Sequence, residues 1–156
     1  MKKIISILIL SILFIGCAQT QPRIASTKSG MPEISISSTN KSIVKSHIID
    51  EIFAAGKGYI IISETDSRIV FSRVPQGFSA DLAQVLIVGA SGERPRVEVT
   101  FTISSRPESI TVYAQLAQVY KNAYGKVTRV DGTNNNNKNF NDLYLFLEKV
   151  KSKVIH

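Results

Sequence analysis

The side chains able to do covalent or acid–base chemistry in this 156-residue chain are few and scattered. There is one cysteine, Cys17, and there are two histidines, His47 and the terminal His156. A metal site needs three or four donors converging at fixed geometry. With Cys17 near one end and the carboxylates dispersed, no ligand spacing emerges, and neither a metal nor another cofactor is expected. Serine catalysis would have to recruit His47, and no Gly-x-Ser-x-Gly turn accompanies it. Asp50 and Glu51, three and four residues further on, read as solvated or ion-paired helix positions. A glycosidase pair would be drawn from Glu64, Asp66, Glu93 and Glu98, and their placement on strands and turns prefers no two of them. Gly56-Lys57-Gly58 has the composition of a phosphate loop, but the spacing of a P-loop is missing and a helix precedes it rather than follows. A non-enzyme is expected.

The remaining chemically special residue, Cys17, is placed by what precedes it. Lys2 and Lys3 supply a positive start, Ile4 to Ile15 form an apolar run broken only by Ser6 and Ser11, and Gly16 closes it. That order is the plan of a secretory signal peptide, residues 1–16. At about a dozen residues the run falls short of the roughly 20 needed for a permanent membrane span. A plain secreted protein is the other alternative, and it would export an unpaired thiol into an oxidising compartment. Leu13-Phe14-Ile15-Gly16-Cys17 resembles a bacterial lipobox, with Phe14 at the position where Leu is commonest. The resemblance covers this segment alone. It implies acylation of Cys17 as the first mature residue, with two or three chains giving a firm membrane anchor. Ala18 rather than Asp after the cysteine implies, in Gram-negative members, sorting to the outer membrane, with the domain at its periplasmic face.

Removal of Lys2 and Lys3 leaves 17 basic against 12 acidic residues, a mature charge of about +5. An excess of that size is compatible with anionic lipid or nucleic acid, but ordinary solubility accounts for it and no nucleic-acid partner is expected. The mature length suits one domain. With its only cysteine acylated, that domain has no disulfide and must be held by its core.

Residues 17–32, with Gln, Ser, Thr, Lys, Gly and two prolines and little apolar content, read as a lipidated flexible tether reaching roughly 20 Å. Residues 33–156 read as the single domain. Ile34 and Ile36 alternate with polar neighbours as in a half-buried strand. Thr39 or Asn40 caps a helix whose stripe is Val44, Ile48, Ile49, Ile52, Phe53 and Ala55, with Gly56 as its stop. Tyr59–Ser63 and Arg68–Val74 form a hairpin about Thr65–Ser67. Residues 78–88 suit a short helix or a strand, the helix being preferred. Arg96–Ser105 alternates cleanly, Val97, Val99, Phe101 and Ile103 to one side, and Ile110–Tyr120 answers it with Ile110, Val112, Ala114 and Leu116. Tyr124–Asp131 adds an edge segment, Asn134–Asn137 a loop, and Asn139 or Asn141 caps a final helix built on Phe140, Leu143, Tyr144, Leu147, Val150 and Val154.

These elements predict an α+β two-layer domain, an antiparallel sheet covered on one face by two helices. A right-handed crossover through the first helix is expected to set the first strand beside a parallel neighbour. In outline this is similar to the helix-grip modules of outer-membrane assembly lipoproteins, an analogy of architecture that no motif carries. On the uncovered face, Arg96, Glu98, Thr100 and Thr102 are expected beside Thr111, Tyr113 and Gln115, with Arg68 or Arg73 nearby. Arg96, Thr100, Tyr113 and Gln115 are the candidate docking surface, the plainer alternative being a solvated face. The resulting expectation is a lipid-anchored interaction or structural module of a bacterial envelope assembly. It would be bound to the membrane through Cys17 and to an envelope protein through the domain. The rival is a periplasmic carrier of a lipid or other amphiphile held between helices and sheet. The pattern specifies no oligomeric state.

Overall fold

The computed structural model describes residues 22–38, 40–76, 93–134 and 136–155. The elements run β1 (Glu33–Ile36), α1 (Lys41–Ala54), β2 (Ile60–Glu64), β3 (Arg68–Arg73), β4 (Glu93–Ser105), β5 (Ile110–Lys121), β6 (Val127–Asp131) and α2 (Asn137–Ile155). Residues 78–88, and with them the choice between helix and strand, lie outside the described residues.

The sheet has the order β1-β5-β4-β3-β2, every pairing antiparallel, and β6 shares with β1 the same side of β5. β1 takes Ile110–Tyr113 and β6 takes Ala117–Lys121. Between them Thr133 completes the ladder: the Leu116 amide donates to Thr133 Oγ1 at 2.6 Å, and the Gly132 amide donates to the Leu116 carbonyl at 2.9 Å. Gly132 fits there because it lacks a side chain; a Cβ would stand 2.5 Å from Leu116 Cδ2.

The expected parallel neighbour for β1 is corrected, since β1 pairs antiparallel with β5. α1 instead carries the chain from one edge of the sheet to the other. Five strands make four spacings, about 19 Å, and the 14 residues of α1 span about 21 Å. Asn40 caps α1, its side chain accepting from the Ser42 and Ile43 amides, and Gly56 ends it with φ +62°. The cap of α2 is also corrected. It is Asn136, which accepts from the Lys138 amide at 2.9 Å, rather than Asn139 or Asn141.

α1 and α2 cover one face. Val44, Ile48 and Ile52 from α1 and Leu143, Leu147 and Val150 from α2 meet Phe71, Val99, Phe101, Ile103, Ile110 and Val112 in one core. Phe71 packs edge-on to Phe101, with ring centroids 5.9 Å apart. The two-layer α+β architecture read from the sequence is therefore the one observed.

Candidate functional site

The segment predicted to be flexible up to Pro32 is fastened to the domain from Pro22 onward. Asn141, buried in the first turns of α2, accepts from the Ile24 amide at 2.9 Å and donates to the Pro22 carbonyl at 3.0 Å. It thus treats the incoming chain as a strand partner would. The Arg23 guanidinium stacks 4.5 Å from the Phe140 ring centroid and donates to Asn137 Oδ1 and the Asn134 and Gly30 carbonyls. At the other end of this arm, the Ala114 amide donates to the Pro32 carbonyl. Cys17 lies outside the described residues, five positions before the first fastened one.

The face away from the helices is not the uniformly wet surface that the alternation predicts. Val70, Ser72, Glu98, Thr100, Ala117 and Val119 are all buried on it. Their registers explain part of this, since Val119 stands between Arg96 and Arg129, and Ala117 stands beside Glu98. Both arginines converge on Glu98, Arg96 Nε at 3.0 Å from Oε1 and Arg129 Nη2 on Oε2. Arg96 is therefore committed to a carboxylate within the sheet. It stands apart from the other three predicted docking residues, which do come together. Thr100 is paired with Gln115, and Tyr113 is paired with Thr102. With Met31 of the arm they line a recess of about 180 Å³. Gln115 also bonds Asp131. Burial raises the Asp131 pKa, but the Thr133 and Asn134 amides, with the Asn134 and Gln115 side chains, outweigh it and hold the carboxyl below its ordinary value. Arg68 shares this face, opposite Thr102, whereas Arg73 falls on the helix side with Ile69 and Phe71.

Two larger hollows went unread in the sequence. One, of about 550 Å³, opens between the arm and the start of β5 and is lined by hydroxyls of Ser26, Thr27, Ser35 and Thr111, with Lys28 and Arg106. The other, of about 350 Å³, lies between the helix layer and the sheet. Ile52, Val99, Phe101 and Leu116 form its apolar walls, and Tyr59 and Arg73 stand at its side. Among the described residues Arg73 Nε is buried there without a hydrogen-bond partner, and its guanidinium sits 5.2 Å from the Tyr59 ring centroid. A buried donor left in this state costs about 1–3 kcal/mol. The one signal available beforehand was Arg73 itself, a charge at an inward position of a strand.

Among the described residues no group of three or more His, Cys, Asp or Glu side chains converges as a metal site. Among them, too, no helix is long and apolar enough to cross a membrane. Compared with models of protein families, with curated proteins and with solved structures, the chain matches none.

Proposed function

We propose that this chain is a lipid-anchored interaction module of a bacterial envelope assembly, tethered through acyl groups on Cys17 at the periplasmic face of the outer membrane. The observation that supports the reading is the fastened arm. A chain held to its domain from Pro22 leaves five residues back to Cys17, at most about 17 Å when extended. Such an anchor presents the domain close to the head groups. The recess of Thr100, Tyr113 and Gln115 is then the surface offered to an envelope protein, an aromatic side chain beside polar groups being a common interface anchor.

Fractionation of cells carrying Cys17→Ser tests the anchor. The native chain is expected in the outer-membrane fraction and the variant in the soluble fraction, and a variant that stays membrane-bound with its signal processed rules the anchor out. For the docking surface, a photoreactive side chain at exposed Thr102 is expected to give one discrete adduct in the native envelope. Tyr113→Ala should remove that adduct. Arg96→Glu is unsuitable here, because it would set two carboxylates together at Glu98 and disturb the sheet.

A further inference from the structure

We propose that the cleft between the helix layer and the sheet binds a single-chain amphiphile with an anionic head, Arg73 receiving the head and the apolar walls the chain. The proposal is separate from the anchoring of the chain and does not rest on it.

Three features of the cleft carry the inference. Its volume, about 350 Å³, falls at the small end of the roughly 300–1,000 Å³ typical of ligand sites, which suits one acyl chain rather than a lipid with several. Its floor is dry: Ile52, Val99 and Phe101 are buried members of the core, and Leu116 and Phe146 pack against that core while still lining the hollow. Its charge is one-sided. Among the described residues, Lys57, Arg73 and Lys138 line it against the carboxylate of Asp142, a net of +2. Asp142 is already taken by Lys138 at 2.6 Å, so the uncompensated cations are Lys57 and Arg73.

Arg73 decides the chemistry of the head. A guanidinium buried at Nε without an acceptor is complete only when an oxygen meets it, and its planar fork favours the paired oxygens of a carboxylate or phosphate. Tyr59 holds the guanidinium from one side through its ring and leaves the in-plane donors free for such a head. An uncharged amphiphile would fill the walls and leave the donor unpaired. A small anion without a chain would gain the donor and forgo the walls.

The test is calorimetric titration of the full chain carrying Cys17→Ser, with laurate, lauryl alcohol and acetate as probes. Laurate is expected to bind one per chain, lauryl alcohol at least tenfold more weakly, and acetate not measurably. Arg73→Gln should bring laurate down to the affinity of the alcohol, and Arg73→Lys should retain an intermediate preference. Ala55→Trp, at the lining of the cleft, should abolish both. Thermal melts verify that each variant is folded. Laurate affinity left undiminished by Arg73→Gln overturns the proposal, as does laurate binding that survives Ala55→Trp, equal binding of laurate and alcohol to the unsubstituted cleft, binding of acetate alone, or no binding of laurate. Because Cys17 is replaced throughout, none of these outcomes bears on whether the native chain is anchored.

Discussion

Glu51 sits in the last turns of α1 with only 3% of its surface exposed, and both of its oxygens are claimed by α2. Lys149 Nζ lies 2.6 Å from Oε2, and Lys153 Nζ binds Oε1. The hydrogen bonds from Lys149 and then Lys153 outweigh burial and hold the carboxyl below its ordinary 4.5. A depressed folded-state pKa means that the carboxylate contributes stability above 4.5 and loses that contribution as pH falls through the folded value. Glu51→Gln is therefore expected to flatten the acid side of a stability–pH profile. Since both lysine heads are about half exposed, the cost at neutral pH should be only about 1 kcal/mol, readable by urea unfolding. In the sequence Glu51 was one more helix carboxylate, because its partners lie about a hundred positions away. Asn141 was misread for a related reason. A polar residue beside Phe140 in an apolar stripe invites a capping role, whereas here its amide is spent on the Pro22–Ile24 backbone.

Among the elements, the helices and the long β4–β5 hairpin were legible because their periodicity is local. What the pattern left open was which edge each short strand would take. β1 and β2 run in the same direction, as a crossover through α1 suggests, yet they occupy opposite edges of the sheet. The cap of α2 was obscured by an asparagine-rich stretch in which several residues can cap, and tertiary contacts selected Asn136 by engaging Asn139 with the Gly132 carbonyl and Asn141 with the arm. Asn136→Ala is expected to cost about 1 kcal/mol, seen as a lowered urea midpoint. Among the described residues β2 ends the sheet order, with Ile60 and Ile62 exposed and a register shift between Ile61 and Ser63. Such an apolar edge invites unwanted pairing, and the bulge is one of the devices that blunt it. Ile62→Lys should raise the concentration at which the protein aggregates while leaving its melting unchanged, as light scattering with circular dichroism would show.

At the scale of the whole molecule, the α+β fold was readable from alternation and helical stripes, and the candidate site was readable only in part. Thr100, Tyr113 and Gln115 do meet in one recess, but the burial of Thr100 between Val70 and Gln115 and the arrival of Arg129 at Glu98 depend on other strands. The Arg96–Glu98 pair, by contrast, lies within β4, two residues apart, and was open to a closer reading of that strand. The arm was hidden because its composition is that of a linker, because Asn141 holds it by backbone groups that any residue supplies, and because Asn134, Asn137 and Phe140, which hold Arg23, lie more than a hundred positions away. Asn141→Ala should expose it: the Ile24 amide is expected to lose hydrogen-exchange protection while amides of the β4–β5 ladder keep theirs.

The arm also decides how the protein meets mechanical load. Tension applied at the N-terminus reaches the bonds of Asn141 and Arg23 before it reaches the β1–β5 ladder. The bonds of Arg23 are exposed and those of Asn141 only part-buried, whereas the β1–β5 ladder is backed by the buried Ile34 and Ile36, so the arm yields first. Their release would pay out the eleven residues from Pro22 to Pro32, about 37 Å of chain, with the core still folded. The domain thus carries a stretch of stored slack that lengthens under tension and spares the core.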